Sequence, residues 1–212
     1  MSEVTLGTGT PRPAPAWRAV ASLALFAAVA AALVGGADAL TRARIRAIEA
    51  AALRATLAAL VPADRHDNAI EADVVRLAVD GADRPLQPVY RARRGAVPVA
   101  AVYTTVVPEG YGGPITLLVA VTPDGTVLAV RTVAHTETPG IGDFIERDRS
   151  AWIELFAGRS LARPAPAGWQ VRASGGEFDA VAGATVTSRA IVGGVRRVLE
   201  FQARAPEAAW TR

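Results

Sequence analysis

The chain begins polar, becomes wholly apolar, and then alternates. Residues 1–16 mix Gly, Thr and Pro and read as a short tail. No charged residue occurs from Ala19 to Ala37. At ~1.5 Å per residue this run of about nineteen spans ~28 Å as a helix, close to the ~30 Å hydrocarbon core of a bilayer. Trp17 and Arg18 stand at its start, an aromatic and a cation suited to the interface. The rival reading is a cleaved signal peptide, because Ala37-Asp38-Ala39 resembles an A-x-A site. The apolar run exceeds the roughly 7–15 residues of a signal core, which favours a retained anchor.

From Asp38 to Leu60 the apolar positions Ile45, Ile48, Leu53, Leu57 and Leu60 continue a helix, stopped by Pro62. It reads as a stalk or a packed amphipathic helix. Val89–Val107 holds strand-like runs broken at Arg93-Arg94-Gly95. Ile115–Val121 and Thr126–Val133 flank Thr122-Pro123-Asp124-Gly125, a strong hairpin signal. Asp143–Phe156 carries a helical pattern through Phe144, Ile145, Trp152, Ile153 and Phe156, with Gly158 as its stop. Ser188–Phe201 predicts an amphipathic helix with Ile191, Val195, Val198 and Leu199 on one face. Strands followed by helices, without βαβ alternation, predict an α+β fold. The expected organisation is a tail (1–18), a transmembrane anchor (19–37), a stalk helix (38–62) and a single domain (63–212) with an antiparallel sheet and flanking helices.

Composition narrows the chemistry. With 212 residues, 51% of them hydrophobic, the chain can build one ordinary core plus an extra apolar element. Its 23 basic residues are all arginine and are interleaved with 20 acidic ones, for a net charge of +3. No basic stripe marks a nucleic-acid surface. The absence of cysteine excludes disulfides, cysteine-ligated iron–sulfur clusters and thiolate zinc sites. Only His66 and His135 are available as imidazole ligands, so no metal site is expected. Redox chemistry here would need an organic cofactor.

Two segments carry candidate chemistry. In Asp179–Ser188, DAVAGATVTS, the small pair Gly183-Ala184 precedes Thr185 and leaves its hydroxyl accessible. Thr187 and Ser188 are good N-cap residues for the following helix, whose free N–H groups and positive dipole end suit a phosphate on Thr185. The same residues also make a plain turn into a capped helix. In His135–Gly142, HTETPGIG, Pro139 fixes the chain while Gly140 and Gly142 permit close backbone approach. Such a loop can offer backbone groups to the edge of a flat ring with Ile141 against its face, or simply join a strand to a helix.

With Asp67-Asn68, the GYGGPI segment (Gly110–Ile115), HTETPGIG, Trp152 and the GAT tripeptide at Gly183–Thr185, the chain resembles the RnfG (RsxG) family of the Rnf ion-translocating electron transport complex. The resemblance covers nearly the whole chain. It implies a cytoplasmic tail, one anchor in the bacterial inner membrane and a periplasmic FMN-binding domain. It implies FMN in phosphoester linkage to Thr185, with Asp179 recognised by the flavin transferase that attaches it. Ala182 departs from the family's Ser or Thr before Gly183. Resemblance to the FMN-carrying NqrC family of the sodium-pumping quinone reductase adds Thr138, Ile141 and Thr187 as flavin or phosphate contacts, beside Gly183 and Ala184. The implied role is electron transfer within a membrane complex, among integral and peripheral partner subunits and with no catalytic acid, base or nucleophile. The alternatives are the FMN subunit of a sodium-pumping quinone reductase or another extracytoplasmic reductase, and an anchored scaffold without cofactor. Arg42, Arg44 and Arg46 after the anchor favour the opposite, cytoplasmic, placement of the domain.

Overall fold

The computed structural model describes residues 16–211; most of the expected N-terminal tail lies outside them. The elements are helix α1 (Ala16–Leu60), strands β1 (Val74–Leu77), β2 (Gln87–Arg94), β3 (Val97–Val107), β4 (Ile115–Val121) and β5 (Val127–Ala134), and helix α2 (Thr185–Arg204). Short 3-10 turns fill the segment between β5 and α2. By contacts the chain divides into residues 1–51 and 52–212.

In the first unit, the uncharged stretch of α1, residues 19–37, exposes apolar side chains all round: Leu23, Leu25, Phe26 and Leu33 are each about two-thirds exposed or more. A helix apolar on every side suits lipid rather than water. Among the described residues, α1 alone is long and apolar enough to cross a membrane.

In the second unit the five strands form one antiparallel meander, β1-β2-β3-β4-β5. Side chains alternate across the sheet with period two. Ala101, Tyr103, Leu117, Val119 and Val121 face a core shared with α2 and the aromatic side chains of the 3-10 layer. Ala100, Val102, Leu118 and Ala120 face the opposite way, where Leu57, Leu60 and Val61 cover them. Leu57 and Leu60, read from sequence as part of the stalk, are therefore core residues of this unit.

Local chemistry explains where the pattern held and where it did not. The β4–β5 hairpin closes with Gly125 at φ +85, and Asp124 accepts hydrogen bonds from the hydroxyls of Thr122 and Thr126. The helix expected over 143–156 is instead two 3-10 turns, Asp143–Ile145 and Trp152–Phe156. Glu146 is extended (ψ 132), and Ser150 Oγ accepts the N–H of Trp152 at 3.1 Å. A serine bonding nearby backbone competes with helix propagation. The apolar pattern survives as a cluster. Trp152 stands edge-on to Phe144 and Phe156, while Phe156, Trp169 and Phe178 pack as neighbouring rings.

Candidate functional site

The register of β4 with its neighbours gathers the site. Val107 pairs with Ile115 and Thr116 with Ala134, so the loop before β4 and the loop after β5 leave the same sheet end. Thr136 Oγ1 donates to Gly112 O at 2.7 Å and ties them. Helix α2 crosses this face with Gly194 against Val107, which brings its first turn toward the same two loops.

The segment entering α2 is held tightly. Trp152 Nε1 donates to Asp179 O at 2.7 Å. Val181, Ala182, Gly183 and Ala184 form a turn closed by Ala184 N donating to Val181 O at 3.0 Å. Gly183 lies at φ +81, as the third position of a type II turn requires. Thr185 is the first helical residue, and Ala184 is the N-cap with no side-chain cap. Thr187 and Ser188 thus do not cap the helix, because both lie inside its first turn. Ser188 Oγ donates to Ala184 O at 3.0 Å and accepts the N–H of Val181 at 3.2 Å, fastening the turn to the helix.

Thr138, Ile141, Gly183, Ala184, Thr185 and Thr187, all singled out by sequence, line one cleft of about 380 Å³. That volume lies within the roughly 300–1,000 Å³ of small-molecule sites. A wider groove of about 740 Å³ lies beside Arg131, Glu146, Arg147 and Asp148, but it is shallow and charged. Asp179 is not in the cleft. Its side chain is exposed and pairs with Arg172 at 2.6 Å.

Gly142, whose freedom for close approach the sequence suggested, also lines the cleft; sequence reasoning missed Tyr111, Glu137 and Val186, which complete it. Tyr111, Ile141 and Val186 leave apolar surface open at the mouth. Glu137 is only 5% exposed. Its Oε2 accepts the hydroxyl of Thr187, itself 1% exposed, at 2.6 Å, and its Oε1 accepts the N–H of Gly112 at 3.0 Å. The signal available in sequence was the glutamate at the centre of HTETPGIG, a charged residue between two threonines in a turn-forming loop.

The cleft suits an anionic, flat ligand. Among the described residues no acceptor meets the N–H groups of Thr185, Val186 and Thr187. Helix α2 carries no acidic side chain of its own in its first turn, and the Glu137 carboxylate that reaches it is engaged by the Thr187 hydroxyl and Gly112 N–H. Unpartnered N–H groups and the positive end of the helix dipole favour a phosphate. The Thr185 hydroxyl makes no hydrogen bond among those found and is partly exposed beside them. A phosphorylated flavin, with a charged end and a planar apolar ring, fits this donor set and lining. When bound, it supplies reversible electron transfer that none of these side chains performs.

Residues 110–200 match the FMN-binding domain family, and residues 13–60 match the RnfG N-terminal region. The chain is 49% identical over 177 residues to the G-type subunit of the ion-translocating oxidoreductase complex from Cereibacter sphaeroides, covering 84% of this chain and 80% of that protein. It is 42% identical over 187 residues to the protein of the same name from Shewanella loihica, covering 84% and 85%. Among solved structures, it is 26% identical to NqrC of Shewanella oneidensis over 66% of each chain, with a TM-score of 0.43. A site shaped for a phosphate-bearing planar cofactor, an apolar N-terminal helix and relatives matched over most of their length converge: the chain belongs to the RnfG family, the G-type subunits of ion-translocating oxidoreductase complexes.

Proposed function

We propose that this chain is a covalently flavinylated electron-transfer subunit, with FMN joined through its phosphate to Thr185 Oγ. The observation that carries the linkage is the pairing of an accessible Thr185 hydroxyl with three unpartnered N–H groups at the same helix end. Esterification forms one Oγ–P bond. The hydroxyl proton goes to a base of the flavin transferase, the phosphoanhydride bond of its flavin dinucleotide donor breaks, and a nucleoside monophosphate leaves. The backbone N–H groups hold the resulting phosphodiester charge, and the left-handed Gly183 turn keeps bulk away from it. Ile141, Val186 and Tyr111 supply apolar surface that excludes water from the ring. Thr138 offers its hydroxyl at the cleft wall. Exposed Asp179 is accessible to the transferase.

In this reading residues 19–37 anchor the chain in the bacterial inner membrane and the domain works on the periplasmic side. The other subunits of the complex deliver and remove electrons. Arg42, Arg44 and Arg46 run against that orientation, so neighbouring subunits must set it. A C-terminal alkaline phosphatase fusion tests this: activity supports the periplasmic domain, and an inactive phosphatase with a bright fluorescent-protein fusion refutes it. The quinone-reductase assignment has weaker support, at 26% identity against 49% and 42% for the RnfG relatives.

Intact mass of the full chain, coexpressed with its transferase, should rise by one FMN less water. Thr185→Ala should show neither that increment nor flavin fluorescence on a denaturing gel. A fluorescent Thr185→Ala band would move the attachment elsewhere.

A further inference from the structure

The cleft holds a side chain that the linkage does not use. Glu137 is a carboxylate buried to 5% exposure in the cleft lining, and among the described residues no arginine or histidine pairs with it; the nearby His135 ring pairs with Glu146 and accepts only the backbone N–H of Glu137, at 3.2 Å. Burying a carboxylate is costly unless it is well hydrogen-bonded. Both oxygens here act as acceptors, from Gly112 N–H and Thr187 O–H.

The surrounding loops are built around it. A Cβ on Gly110 would stand 2.8 Å from Glu137 Oε1. A Cβ on Gly142 would stand 2.8 Å from both Oε2 and Cβ of Glu137. One on Gly112 would stand 3.1 Å from Glu137 Cα and 2.1 Å from Thr136 O. At Gly142 the acid alone fills the space a side chain would need; at Gly110 and Gly112 the backbone oxygens of Gly113 and Thr136 stand closer still, at 2.2 and 2.1 Å, so there the loops pack against each other as well as against the acid. Buried, specifically partnered ionisable groups in a cleft concentrate at functional sites.

We propose that Glu137 is a built-in negative charge that holds the reduction potential of the cleft's flavin low. The inference rests on the reading of this cleft as the FMN site. Adding an electron places charge beside a fixed carboxylate in a water-poor wall, where like-charge repulsion is weakly screened. The two donors keep the carboxylate in place without adding a compensating formal charge.

The test uses the full flavin-loaded chain in detergent, titrated spectroelectrochemically. Glu137→Gln keeps the shape and removes the charge, so its midpoint potential should move positive. Glu200→Gln, at a half-buried acid paired with Arg196 further along α2, should leave the potential where it is. An unchanged or more negative Glu137→Gln potential, with flavin still mapped to Thr185, overturns the role of Glu137 while leaving the linkage intact. Loss of the linkage alone is read separately, from the mass of the wild-type chain. A second measurement needs no variant. Reduced-minus-oxidised infrared difference spectra of the wild type, with ¹³C-labelled glutamate, should contain a shifted carboxylate band. Absence of any glutamate band in that spectrum also overturns the proposal.

Discussion

Gly194 of α2 lies directly on Val107 of β3: a Cβ added at Gly194 would stand 2.4 Å from Val107 Cγ2. This close approach sets how α2 crosses the sheet, and so where its first turn meets the two loops of the cleft. Neighbouring Gly193 is exposed, and a Cβ there would meet nothing within 4 Å. The adjacent glycines thus make opposite predictions. Gly193→Ala should raise stability by roughly 1 kcal/mol through helix propensity. Gly194→Ala should lower it by about 1–2 kcal/mol, because overpacking costs more than the propensity gain returns. Thermal melts followed by circular dichroism should move apart by several degrees, Gly193→Ala up and Gly194→Ala down.

Thr187 tests the buried contact that joins α2 to the HTETPGIG loop. Thr187→Val keeps the side-chain volume and removes the donor to Glu137 Oε2. A hydrogen bond to a charged group is worth about 1.5–3 kcal/mol. The melting temperature should fall accordingly, and amide exchange should rise at residues 110–113 and 135–142 more than in β1 or β2. Uniform loosening throughout the sheet would contradict a local role.

Gly183 tests the turn that presents Thr185. Its Cβ position is open, so the only cost of Gly183→Ala is the left-handed backbone at φ +81. That cost is roughly 1–2 kcal/mol. Because the turn is closed by a single backbone bond at 3.0 Å, strain there should displace Thr185 before it unfolds the domain. Flavin incorporation, read by in-gel fluorescence, should drop more sharply than thermal stability. Full incorporation would show that attachment tolerates a rearranged turn.

Much of the fold was legible because its signals are local. An uncharged apolar run, a Pro-Asp-Gly turn between β-branched runs and a heptad-like stripe over 188–201 are each read within one element. Strand β1 escaped notice because four residues, VVRL, carry too short a pattern to separate from loop. The 143–156 helix was misread because its apolar spacing is helical, while Glu146 turns extended and Ser150 Oγ takes the N–H of Trp152.

The candidate site divides the same way. The sequence alone determined the anchor-length apolar helix, the hairpin, and the short motifs that carry Thr185, Thr138 and Ile141, because spacing along a chain specifies periodicity and turns. Only the tertiary structure decided that the Thr187 hydroxyl bonds Glu137 instead of capping its helix, and that Glu137 is buried in the cleft. Those facts depend on residues 25 and 50 positions apart, Gly112 with Glu137 and Glu137 with Thr187. Strand register and the seating of Gly194 on Val107 bring them together, and long-range packing of that kind leaves no periodic trace in the order of the amino acids.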